Sequence, residues 1–185
     1  MVPAAVGVAL TTVALASCGA SDPGRASGPF AWLKPTAVPV GWNVVHTSTG
    51  AALGYPPGWT PLQADPGTAS VALLGSGERI DSYLNATPTQ GTEPLADWSR
   101  FRPRHNQEKG DRSLRVMAAT TAGRFRSGRG ACVVDTYRTS QADYREIACL
   151  VSGRSSRAVV VGAAPTAARG QQAPTLERAV SSFVG

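Results

Sequence analysis

Between residues 51 and 163 apolar and polar positions alternate in short runs separated by turn formers, the period-two signature of half-buried strands. Residues 51–55 run into Pro56-Pro57-Gly58, a cluster that cannot continue a strand. Further strands are predicted over residues 70–74, 114–121, 130–138, 144–151 and 157–163. Another is predicted over residues 80–87, where Ile80, Leu84 and Ala86 alternate with Asp81 and Asn85. Two stretches change to a helical period. The first opens with Thr92 as N-cap and Pro94 in its first turn, sets Leu95, Trp98 and Phe101 on one side, and should end or kink at Pro103. The second covers residues 174–183, where Leu176, Ala179, Val180 and Phe183 form a one-sided apolar stripe that must pack on the sheet. Strands with a few helices, rather than strict strand–helix alternation, indicate an α+β domain.

One strand pair can be given a register. In the stretch CVVDTYRTSQADYREIAC, residues 132–149, a hairpin centred between Ser140 and Gln141 sets Cys132 opposite Cys149, Val134 opposite Ile147 and Tyr137 opposite Tyr144. The same register opposes Asp135 and Glu146, a like-charge pair whose cost nearby arginines or a local bulge would have to relieve. Directly opposed cysteines approach closely enough to bond, and an exported chain meets an oxidising compartment, so a Cys132–Cys149 disulfide is expected; the alternative is two buried free thiols. No CxxC or HxxxH spacing accompanies them, and no metal site is expected.

That pairing leaves Cys18. Residues 4–16 are apolar but shorter than the about 20 residues a membrane span needs, and they suit the core of a secretory signal. Leu15-Ala16-Ser17-Cys18 then matches the bacterial lipobox, in which the thiol receives diacylglycerol and the cysteine becomes the first residue of the mature lipoprotein. Met1-Val2-Pro3 has no basic residue, and a start further upstream would supply one. The alternatives are an ordinary signal peptide with an incidental Cys18, or a buried first segment of the domain. The expected organisation is a signal peptide over residues 1–17, a Gly-, Ser-, Pro- and Ala-rich tether over residues 18–39, and one domain over residues 40–185.

Charge narrows the partners. The net charge is +6, carried almost wholly by arginine, a bias that follows GC-rich coding. Between Arg100 and Arg129 nine basic residues stand against Glu108 and Asp111, a local balance of +7. Nucleic-acid modules interleave such clusters with exposed aromatics, whereas here only Phe101 and Phe125 intervene and both suit a core, so no nucleic-acid partner is expected. Arg124, Arg126 and Arg129, beside a Gly-containing turn, are candidate anion-binding residues, against the plainer reading that they keep a strand edge soluble. His46 and His105 adjoin no nucleophile motif, and GxSxG, SxxK, HExxH and P-loop patterns are absent, so no catalytic residue and no cofactor is assigned.

The ordered set GYPPGW, ERIDSYLNATP, PLADWSRF, GRFRSGRGACVVDTYRT, YREIACLVSGRSSRAVVVGAAP and RAVSSFV resembles the PsbP-like superfamily, and within it the actinobacterial lipoproteins of the LpqN type, over roughly residues 44–184. The resemblance implies an antiparallel sheet of about six strands with helices packed on it. Members of that superfamily differ in activity, and fold alone does not assign one. Taken together, the expectation is a non-enzymatic, extracytoplasmic lipoprotein. It would be held at the cell membrane through diacylglycerol on Cys18 and would bind an envelope protein or an anionic lipid or polymer. The alternative is a carrier of a small apolar ligand or lipid, in a pocket lined by Trp98, Leu95 and strand residues. An envelope hydrolase would require His46 or His105 beside a serine or carboxylate.

Overall fold

The structure is a computed structural model that describes residues 28–89, 91–154 and 156–185. Residues 1–17 and Cys18, on which the signal-peptide and lipobox expectations rest, lie outside the described residues. Nine strands and two helices follow in the order β1 (Asn43–His46), β2 (Ala52–Tyr55), β3 (Thr60–Leu62), β4 (Ala69–Leu74), β5 (Ile80–Pro88), α1 (Trp98–Glu108), β6 (Arg112–Arg124), β7 (Arg129–Arg138), β8 (Asp143–Ser152), β9 (Arg157–Pro165) and α2 (Arg169–Ser182). Seven strands make one antiparallel sheet in the order β3-β4-β5-β9-β8-β7-β6, and β1 and β2 form a separate hairpin. Each predicted strand is present. The hairpin strand β1 and the short edge strand β3 are additions whose few, mostly exposed residues leave no alternation to read.

Strand alternation divides the residues between two faces. One face presents Val71, Leu84, Cys132, Ile147, Cys149 and Val160, which pack with Leu176, Ala179 and Val180 of α2 and with Phe183 just beyond it. The β1–β2 hairpin extends this layer, because Ala52 and Val184 exchange backbone hydrogen bonds of 2.8 and 3.1 Å. The other face presents Ala131, Val133, Ala148, Leu150 and Val161 to Trp98 and Phe101. Trp98 is buried, and its Nε1 donates to the Ala148 carbonyl at 2.9 Å, which pins the start of α1 to the centre of the sheet.

Both helices depart from their predicted bounds, and Thr92 is not the cap expected of it: Pro94 precedes the first turn and Asp97 precedes α1. Residues 95–97 form a 3-10 turn and α1 begins at Trp98, so Pro103 is its sixth residue and the helix continues past it. Likewise α2 begins at Arg169, five residues before Pro174, which is again the sixth residue. A proline there forgoes one intrahelical bond near the helix start, and packing against the sheet outweighs that loss. Gly110, with φ of +99°, ends α1 in a conformation glycine adopts without strain.

The hairpin between β7 and β8 has the predicted register without a bulge. Cys132 pairs with Cys149, Val134 with Ile147, Asp135 with Glu146 and Tyr137 with Tyr144. The two cysteines are joined as a disulfide on the α2 face. Part of the segment expected as a tether lies on the domain. Phe30, Trp32 and Leu33 pack against the α2-side core, and the Ser181 hydroxyl donates to the Trp32 carbonyl at 3.2 Å. The described chain therefore meets the domain before residue 40, because three large apolar side chains in this stretch outweigh its Gly and Pro content.

Candidate functional site

The α1 face of the sheet is only half covered. Helix α1 lies over the β6–β7 side and reaches β8 through Trp98 and Arg102, and beside it a cleft of about 540 Å³ opens over β4, β5 and β9. Its helical wall consists of Trp98, Phe101, Arg102, His105 and Lys109, spaced i, i+3, i+4, i+7 and i+11 so that they share one face. The Trp98 and Phe101 rings lie 5.7 Å apart at 22°, and Phe101 and His105 lie 6.1 Å apart at 15°, giving a row of three nearly parallel rings.

The floor is largely polar. The register sets Ser70 against Asn85, with Tyr83 and Thr87 on the same face of β5, while Val159 and Val161 come from β9. The Asn85 amide donates to the Ser70 hydroxyl at 2.7 Å, and the Thr68 and Thr87 hydroxyls are bonded to each other. Leu62, Gln63, Ala64 and Asp65 form the far rim.

Behind the basic end of the cleft lies a buried ionic group. Arg102 donates from Nε and Nη2 to the two oxygens of Glu146 at 2.6 and 2.9 Å, a bidentate pair in which Glu146 is fully buried. The Tyr137 hydroxyl donates to Glu146 Oε2 at 3.4 Å and lies 3.0 Å from the Tyr83 hydroxyl. Asp135, also fully buried, faces Glu146 across the strands, and neither of its carboxylate oxygens has a hydrogen-bond partner among the described residues. Burial, reinforced by the Glu146 charge and opposed by Arg102, pushes Asp135 up to about 7. The predicted like-charge clash is thus relieved in two ways: Arg102 neutralises Glu146, and Asp135 holds a proton over the acidic range.

The two histidines are separated. His46 is exposed on β1, and His105 is half-buried in the cleft wall with its pKa lowered by burial and by Arg102. Neither side chain makes a hydrogen bond to a serine or carboxylate among the described residues, so the arrangement gives the hydrolase reading no nucleophile–base pair. Arg124 and Arg129 are Cα partners at the β6–β7 turn and Arg126 lies in the turn, all three exposed, whereas Phe125 between them is buried. The opposed Gly123 and Gly130 make this possible: a Cβ on Gly130 would stand 2.6 Å from the Phe125 ring. Phe125 thereby occupies the core position expected of it. Its packing leaves the arginines projecting outward on a hairpin well apart from the cleft residues, and they make no ion pair among the described residues.

Of the suggested pocket wall, Trp98 lines the cleft while Leu95 packs with the adjoining core. The sequence reading paired Glu146 with Asp135 but did not single out Arg102, Tyr83 or Thr87. The visible signal was the helical stripe from Trp98 to Lys109, obscured by treating Pro103 as a terminus.

No protein-family model matches this chain, and no curated protein does. Solved structures do resemble it. The solution structure of cyanobacterial PsbP from Synechocystis matches at 14% identity with a TM-score of 0.57, covering 80% of this chain and 95% of that one. Looser likenesses are protein PA94 from Pseudomonas aeruginosa, at 13% identity, TM-score 0.45 and coverage of 78% and 96%, and LpqN of Mycobacterium tuberculosis, described as involved in cell envelope biogenesis, at 13% identity, TM-score 0.40 and coverage of 77% and 89%. At such identities what is shared with the cyanobacterial protein is architecture: the chain has a PsbP-like α+β fold.

Proposed function

We propose that this protein is a non-catalytic binding module of the extracytoplasmic membrane face, tethered through a lipidated Cys18, with the cleft beside α1 as its ligand site. The observation that carries the binding role is the cleft itself. The α2 face of the same sheet is closed by a helix and a hairpin, yet the α1 face leaves room for a small molecule of a few hundred Å³ over hydrogen-bonding side chains. The lipobox at Leu15–Cys18 and the Cys132–Cys149 disulfide support an exported, anchored chain. The outward arginines at residues 124, 126 and 129 offer a contact for anionic headgroups or polymer, which would reinforce a lipid anchor.

The test has two parts. Mass spectrometry of the mature N-terminus should find Cys18 carrying diacylglycerol, and a Cys18→Ala variant should leave the membrane fraction. An unmodified Cys18, or unchanged partition, removes the anchor. Crosslinking in intact cells through a photoreactive group at Thr87 should capture a small molecule in the cleft, and capture of the same species from a site on the α2 face would count against the cleft.

A further inference from the structure

Resting on the reading of this cleft as a ligand site, we infer that its ligand is an acidic saccharide: a polyhydroxylated ring carrying a carboxylate or phosphate. Three properties of the cleft lead there. The floor offers hydrogen-bonding capacity in pairs. Asn85 uses its amide nitrogen on Ser70 and keeps Oδ1 to accept, while the Thr68–Thr87 pair can spend only one of its two hydroxyl protons internally. An alkyl chain laid on this floor would strip water from those groups and return nothing, a cost of about 1–3 kcal/mol for each unpaired group. A ring bearing adjacent hydroxyls replaces the water bond for bond.

The helical wall supplies the second property. Phe101 and His105 are half-buried in this wall, their ring planes within 15° of each other and both lining the cleft. A sugar ring has one face of C–H groups with slight positive character, which suits the negative face of an aromatic ring. Polar floor and aromatic wall line one cleft, a combination that suits an amphipathic ring and not a fatty chain.

The third is charge polarity along the groove. Glu93 stands before α1 and Lys109 after it, so the cleft runs from acidic to basic over about 16 Å of helix. At the basic end Arg102 gives Nε and Nη2 to Glu146, which leaves its Nη1 edge for a ligand beside Lys109. An acidic substituent belongs there and fixes which way round the sugar lies.

Saturation-transfer NMR on the full lipidated chain in nanodiscs, against empty nanodiscs, tests this with glucuronate, glucose 6-phosphate, glucose, inorganic phosphate and hexanoate as probes. Glucuronate and glucose 6-phosphate should bind, glucose about tenfold more weakly, and hexanoate and phosphate only at far higher concentration. Asn85→Leu should weaken both acidic sugars about tenfold or more. Lys109→Glu should remove their advantage over glucose while leaving glucose within about twofold. Hexanoate binding more tightly than glucuronate would overturn the saccharide assignment and keep the cleft as a site for apolar ligands. Phosphate competing as well as glucose 6-phosphate would reduce it to an anion site. Sugar binding unchanged by both variants, or no probe binding, would remove the cleft as the site altogether.

Discussion

The two faces of the seven-stranded sheet are built from the same strands and have opposite characters. The α2 face is closed: Leu53, Leu84, Ile147, Leu176 and Phe183 are wholly buried, the disulfide lies among them, and even the residues before position 40 add Phe30, Trp32 and Leu33. The α1 face carries the chemistry: a buried carboxylate pair, a bidentate arginine, two linked tyrosines and an open groove over Ser70, Asn85 and Thr87. Buried polar groups and uncovered polar floors contribute little to stability, whereas a filled apolar layer supplies it. The α2 face therefore supplies the larger apolar layer, and the uncovered half of the α1 face is left for the binding role proposed for it.

This contrast can be broken most severely at the α2 face. Leu176→Ala and Phe183→Ala should each cost about 3 kcal/mol in urea unfolding, whereas Asn85→Ala on the cleft floor should cost under about 1 kcal/mol. Equal losses would mean that the cleft floor is part of the core. Of similar size, Glu146→Gln should cost about 3 kcal/mol by leaving the buried Arg102 charge without its counter-charge, and the double change Arg102→Met with Glu146→Leu should recover most of it. Replacing both Cys132 and Cys149 by alanine should cost about 2–3 kcal/mol, given a closed loop of sequence separation 17, without altering probe binding at the cleft.

A further effect is pH-dependent. Asp135 binds its proton more tightly in the folded chain, where burial and Glu146 hold it at about 7, than in the unfolded chain near the ordinary carboxylate value. Its contribution is therefore fully present at low pH and is lost as pH rises through about 7. Thermal stability should decline between about pH 4 and pH 7, and Asp135→Asn should flatten that decline. A decline that persists unchanged in the variant would assign it elsewhere.

Legibility in the sequence followed the same division. The strands, the α2 stripe and the Cys132–Cys149 register could be read because each depends on local period or on a hairpin whose pairs constrain one another. The helix bounds could not, since Pro103, read as an end, and Pro174, read as a start, are each the sixth residue of a helix that tertiary packing sustains. The polar floor of the cleft was hidden for a different reason. Asn85 alternates with Leu84 and Ala86 as a solvent-facing residue would, and only the position of α1, which covers half of the face, makes its surroundings a groove. The cost of opposing Asp135 and Glu146 was visible, but the identity of the relieving arginine was not, because Arg102 lies 44 residues from Glu146.

The central claim, that the open half of the α1 face is a binding site and not merely a thin part of the fold, is tested most directly by native mass spectrometry of the full chain extracted from its own membranes, beside a Thr87→Trp variant whose indole fills the cleft. The account predicts a small-molecule adduct on the wild type that is absent from the variant, with both chains equally folded. The same adduct on both, or none on either, would contradict it.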